Sequence, residues 1–377
     1  MTTQFDVAVI GGGIVGLAHA WMATRRGLRT VLLERSTVAQ GASVRNFGMI
    51  WPIGQPAGEL YSLALRSRNL WRELHTAGAI SVEECGSVHL AHHAEELAVL
   101  EEFCSQGMHE ARMMTAEETR KRTPLANPQG LLGGMWSPTE LRVDPRVASS
   151  RLAGWLAAEH SVEFHFETPV THIAENKVHA ADGRQWSADR ILICSGSDLK
   201  TLYPQTFAKS GLRLCKLQML MAKNESPGPQ PAAHIASGLT LRHYTAFQTC
   251  PSLAALKTRI AEESPELDRY GIHVMASQFP DGRVILGDSH EYGTDISPFD
   301  KTEIDDLMLR ELQKVIRLSD WTIHERWHGI YAKHATRPVF ESQPTEGVHV
   351  FVGTGGAGMT LAFGLADRAW TTWEKTV

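Results

Sequence analysis

The chain has 377 residues, enough for about two domains at roughly 100–200 residues each. Hydrophobic residues make up 43% and charged residues 21%, ordinary values for a globular protein that exclude disordered, collagen-like and coiled-coil classes. Lys and Arg total 37 against 42 Asp and Glu, a net charge of −5 with no like-charged block, so nucleic acid and anionic membrane are not the expected partners.

Residues 5–35 read as one βαβ unit: the apolar run DVAVI, a glycine turn, a helical stretch closed by Gly27, and a second apolar run TVLLER. The apolar segment Val7–Ala23 is broken by four glycines and His19, so it reads as neither a signal peptide nor a membrane span. Leu60, Leu63, Leu70, Trp71 and Leu74 recur at helical spacing, predicting an amphipathic helix over 59–75. Asp144-Pro145 reads as an N-cap followed by proline at the first helical position, opening a helix to about Glu159. The runs VEFHF, PVTHIAEN, KVHAADGRQW and RILICSG are expected strands, with Asp182-Gly183 as a hairpin turn.

From about Leu212 to Gly287 the pattern turns mostly to strand, in LCKLQMLMA, GLTLRHYTAF, GIHVMASQF and RVILG, interrupted by the helix-like PSLAALKTRIAEE. A helix over about 301–317 follows, and VHVFVGTGGAGMTLAFGLADRAW returns to strand, glycine loop and helix. The chain thus begins and ends in the same kind of unit, with no long linker between, so its domains are expected to be interleaved. Cys85, Cys104, Cys194, Cys215 and Cys250 are odd in number and form no C-x-x-C pair, which points to reduced cytoplasmic thiols.

Gly11, Gly13 and Gly16 form G-x-G-x-x-G between a strand and a helix, a turn that lets backbone approach a pyrophosphate at a helix N-terminus. Glu34, at the end of the second strand, can accept hydrogen bonds from ribose hydroxyls and would repel a 2′-phosphate. This fingerprint suits NAD and FAD alike. Its place at the N-terminus, joined to a second glycine-rich turn at Gly353, Gly355, Gly356 and Gly358, favours FAD, whose reduced ring the second helix N-terminus could stabilise.

With DVAVIGGGIVG…LLER, GASVRNFGMI, LRVDP, ILICSGS and WHGIY…VHVFVGTGGAGMTLA on the page, the chain resembles the D-amino-acid-oxidase-type family of FAD-dependent amine oxidases, which includes glycine oxidase and sarcosine oxidase. GASVRNFGMI, TLRHY and ILGDSHEYG are most similar to a subgroup linked to aminophosphonate breakdown. The resemblance implies an α/β Rossmann-like FAD-binding domain (1–85, 144–211 and 326–377) interleaved with an α+β substrate domain (86–143 and 212–325) built on a mostly antiparallel sheet. It also implies cofactor contacts from Gly11, Gly13, Ile14, Val15, Gly16, Glu34, Arg35, Ser43, Arg45, Asn46, Gly48, Val170, Gly196, Gly329, Gly355, Gly356, Gly358, Met359 and Thr360. Residues 41–48 contain neither His nor Cys, so non-covalent FAD is expected.

In amino-acid-oxidising members an arginine that clamps the substrate carboxylate occupies the position of Tyr331, so the resemblance implies a different anion or a relocated clamp. Arg45, Arg242, Lys333 and Arg337 could supply the charge, and Arg242, His243, Tyr244, His290, Tyr331, Lys333 and His334 form a pool of donors for a phosphonate. Arg242, Tyr244, His290, Tyr331 and Lys333 are the expected substrate-site residues; Arg242 and Tyr244, two apart on an expected strand, should share a face. His290 and His334, with Asp288 and Glu291 near the first, could suggest a metal site, but their spacing fits no ligand motif and no metal is expected. The expected reaction is oxidation of a small anionic amine, with dioxygen as acceptor. A glycine, sarcosine or D-amino-acid oxidase, a flavin-holding subunit of a larger complex and a nicotinamide-dependent dehydrogenase are the alternatives, and the oligomeric state is open.

Overall fold

The computed structural model describes residues 4–224 and 231–375. The first run, Gln4–Ile10, alternates two buried faces: Val7 and Val9 pack with Leu32 and Leu192, while Ala8 and Ile10 pack with Val31, Ile191 and Val350. Burial on both faces is the signature of a parallel sheet covered by helices. Gln4–Ile10 pairs in parallel with Thr30–Leu33 and Gln185–Ile193, which pairs in turn with Val348–Val352. Glu163–His165 extends one edge of this eight-stranded sheet and Phe340–Thr345 the other. The helices Ile14–Thr24, Glu59–Thr76 and Gly358–Glu374 cover one face through Leu17, Trp21, Trp71, Phe363 and Trp370. Trp71 and Phe363 meet edge to face with centroids 4.8 Å apart, and the Trp71 indole N–H donates to Met359 O at 2.9 Å.

The second sheet has nine strands, mostly antiparallel, with Arg213–Lys223 paired to Arg283–Gly287, Glu291–Gly293 and Ile323–Lys333. Its parallel pair joins His234–Ala236 to Ser87–Ala91. The helix opened by Asp144 runs Pro145–His160, with Asp144 Oδ1 accepting from the Arg146 N–H at 3.0 Å. Gly183 turns the hairpin between Lys177–Ala180 and Gln185–Ile193 with φ +89°. The helices expected over 251–263 and about 301–317 run Leu253–Glu263 and Thr302–Val315.

Two expectations are corrected. The segment GLTLRHYTAF is not a strand but two short 3-10 turns, Gly238–Arg242 and Thr245–Thr249, so Arg242 and Tyr244 do not share a strand face. The domain boundary placed at 326 falls inside the Ile323–Lys333 strand, which pairs along its length with Arg213–Lys223 and so belongs to the second sheet. No helix among the described residues is long and apolar enough to cross a membrane.

Candidate active site

The C-terminal ends of the parallel strands, at Gly11, Glu34, Cys194 and Gly353, open into one cavity of about 840 Å³ that reaches across to the second sheet. Binding at this end of a parallel sheet follows from the turns that the strands feed there. Gly11 has φ +109°, and a Cβ on it would stand 2.3 Å from Cys194 O. Gly16 lies behind the turn and does not line the cavity; its missing Cβ would be 2.0 Å from Gly11 O, so it lets the helix pack on the strand.

Glu34 is 8% exposed, and its two carboxylate oxygens accept from the Gly12 N–H at 2.8 Å and the Ser36 N–H at 2.9 Å. Each oxygen retains a lone pair for a sugar hydroxyl. Arg35 lines the same end, with Nη1 3.0 Å from Asp198. Val170 and Gly196 line it as well.

Past the turn, Ile14 and Val15 line the wall, and the Ile14 N–H donates to Ser43 Oγ at 2.9 Å. The Asn46 side chain donates to Ala42 O and Ser43 O at 2.9 and 3.0 Å, so the 41–46 turn is held in shape beside the cavity. Gly48 does not line it: with φ +74° and a virtual Cβ 2.1 Å from Val143 O, it serves a close backbone approach. Opposite, Gly329, Gly355, Gly356, Gly358, Met359 and Thr360 form the wall, and the helix begins at Gly358.

Tyr244, His290, Tyr331 and Lys333 all line the far end, as do His243, His273 and Asp288. Arg242 does not. Its guanidinium is turned to the Asp268 carboxylate and to Ile272 O, because the 3-10 turn points it away from the cavity. Burial raises the Tyr331 phenol well above its ordinary value, with Cys215 and Tyr292 adding to it, so Tyr331 is a neutral donor. Lys333 Nζ lies 3.4 Å from the Tyr292 hydroxyl, and Arg45 Nη1 donates to His328 O at 3.1 Å.

His243, His273 and His290 form a triangular cluster of nearly parallel rings, with centroids 4.3 Å apart for His243 and His273, 5.1 Å for His273 and His290 and 5.6 Å for His243 and His290, and interplanar angles of 24°, 13° and 20°. Their nitrogens lie within 4.8 Å of one another, the spacing of a possible metal group. His273 Nε2 is 2.9 Å from Asp288 Oδ1. Sequence reasoning missed His273, which has no motif around it. Its nearness to Asp288 comes from the pairing of Met275–Gln278 with Arg283–Gly287.

A cavity with a glycine turn and a ribose-ready carboxylate at one end and titratable side chains at the other defines the class as a dinucleotide-dependent enzyme. The chain belongs to the DAO family, described as FAD dependent oxidoreductase, which it matches over residues 6–369, and its cofactor is FAD. It is 27% identical to a glycine oxidase of Geobacillus kaustophilus (strain HTA426) over 210 residues, 52% of this chain and 56% of that protein. The chain thus spans about half the length of that curated relative. The crystal structure of glycine oxidase from Geobacillus kaustophilus superposes with a TM-score of 0.77 at 19% identity, covering 99% of this chain and 95% of that one. A dithionite-reduced L-α-glycerophosphate oxidase from Mycoplasma pneumoniae with FAD bound gives a TM-score of 0.74 at 18% identity, covering 98% and 95%.

Proposed function

We propose that the protein is an FAD-dependent oxidase of a small amine bearing an anionic group, with 2-aminoethylphosphonate or its N-methyl derivative as the specific substrate. The observation that carries this reading is the charge pattern of the cavity wall. Arg45, Lys333 and Arg337 line it without a carboxylate partner among the described residues, while Tyr331, where the resemblance expects an arginine, is a buried neutral phenol. A phosphonate carries three oxygens and more charge than a carboxylate, so several separate donors suit it better than one bidentate clamp.

When bound, FAD supplies the acceptor for the hydride that leaves the carbon next to nitrogen. The chain's own residues bind the anion and hold that C–H bond in place, so a nucleophile is not required. The imine product is hydrolysed by water to an aldehyde plus amine or ammonia, and dioxygen as electron acceptor gives hydrogen peroxide. FAD is held without a covalent bond, in keeping with the absence of His and Cys from 41–48. All five cysteines are free, which supports a cytoplasmic setting.

A second reading, an oxidase of glycine, sarcosine or a D-amino acid with its carboxylate held from another direction, is favoured by the 27% identity to a glycine oxidase. Peroxide release across a panel of amines separates the two. The aminophosphonates are expected to turn over with the highest kcat/KM; sarcosine or a D-amino acid as the fastest substrate overturns the phosphonate assignment.

A further inference from the structure

We infer that Asp288 and His273 form the subsite for the substrate's ammonium group and take its proton, so that the amine is neutral when its C–H bond breaks. The inference rests on the substrate being an amine and does not depend on the identity of its anion.

The two residues face each other across the sheet: the Asp288 N–H donates to His273 O at 2.9 Å and the His273 N–H to Asp288 O at 3.3 Å. Their side chains are buried, yet both residues line the cavity. Apart from His273, no neighbouring residue among those described donates to the carboxylate, and His273 Nδ1 has no partner. A buried carboxylate so poorly supplied with donors is costly unless a cation comes to it.

The groups around the pair leave it that role. His243 and His290 stack on His273, and burial holds both imidazoles below their ordinary value, hence neutral. Burial raises the phenols of Tyr244, Tyr292 and Tyr331 and the thiol of Cys215, so these are neutral too. For Asp288, burial alone would raise the carboxyl, but the positive charge that the neighbouring imidazoles, His273 and then His290, carry in the acid range where a carboxyl titrates outweighs it and holds it below the usual range. The charges at this end are therefore the Asp288 carboxylate and the Lys333 ammonium, a pair complementary to a molecule with a cationic amine and an anion. Glu34 and Asp198, the other carboxylates of the lining, sit at the nucleotide end.

In the proton transfer an N–H bond of the ammonium breaks, its electron pair stays on nitrogen, and the proton passes to His273 Nδ1, the ring nitrogen left without a partner. His273 keeps its other proton on Nε2, which faces Asp288 Oδ1 at 2.9 Å, so the imidazolium formed is stabilised by the carboxylate.

Calorimetry on anaerobically pre-reduced holoenzyme, which cannot turn over, compares 2-aminoethylphosphonate with ethylphosphonate. The wild type is expected to prefer the amine by at least about tenfold, and Asp288→Asn to bind the two within about threefold. If neither phosphonate binds, the anion assignment fails, and glycine against acetate decides the ammonium subsite in the same way. In turnover, wild-type kcat/KM is expected to level off at a pH well below the titration of the free amine. That of Asp288→Asn should keep climbing about tenfold per pH unit towards an alkylammonium pKa of about 10.4, because only amine already neutral in solution reacts. Should Asp288→Asn not fold, His273→Gln must show the same climb. Intact preference for the amine in Asp288→Asn, or a loss equal at every pH, overturns the inference.

Discussion

A Cβ on Gly13 would stand 3.1 Å from Ser43 Oγ, the atom that accepts from the Ile14 N–H at the start of the first helix. Valine there pushes Ser43 aside and fills the space through which the turn must approach a pyrophosphate. Gly13→Val is therefore expected to yield folded but colourless protein, read as the ratio of flavin to protein absorbance after gel filtration; a yellow variant with one FAD per chain would contradict this placement. The glycine turn and Glu34 were legible in the sequence because their roles depend on local spacing within one βαβ unit. The Asp288–His273 pair was not, because strand register, which no local pattern states, brings the two together.

The element most misread was the segment 238–249. Alternation of apolar and polar residues in TLRHY suggested a strand, but the segment folds as 3-10 turns, with the Thr240 N–H bonded to Ser237 O and the His243 N–H to Thr240 O, both at 3.0 Å. The turns bring Tyr244 and His243 to the cavity and send Arg242 to the outside of the turn, where it ties the element to Asp268 and Ile272. Arg242→Ala is accordingly expected to leave kcat/KM within about threefold of wild type and FAD content unchanged, while costing roughly 1–3 kcal/mol of stability through the lost charge-assisted bonds. Denaturant midpoints and steady-state kinetics on the same preparation check both halves. A rise in KM of ten times or more with stability intact would return Arg242 to the substrate site.

At the scale of the whole molecule, each of the two sheets encloses histidines that cannot be charged where they stand. Burial lowers His19, in the helix on the first sheet, to about 3, with His349 adding to the effect. His89 and His234, on adjacent strands of the second sheet and both in contact with Trp51, are likewise lowered to about 3 by burial. In the unfolded chain each regains its ordinary value of 6.5. Between those values the unfolded state binds protons that the folded state refuses, so stability is full above pH 6.5 and falls as the pH drops towards 3. Each histidine contributes a slope of about 1.36 kcal/mol per pH unit, or about 2 kcal/mol by pH 5. Both ring nitrogens of His89 lack hydrogen-bond partners, so an apolar side chain of similar size loses no polar contact there. His89→Leu is expected to match wild type within about 1 kcal/mol at pH 7.5 and to exceed it by about 2 kcal/mol at pH 5. A chain with two sheets and a bound cofactor need not unfold in one step, so the comparison is made on thermal midpoints of FAD-loaded protein across pH 5 to 7.5. Parallel curves for the variant and wild type would mean that His89 is protonated in the fold or neutral in both states, and would remove it from the acid response.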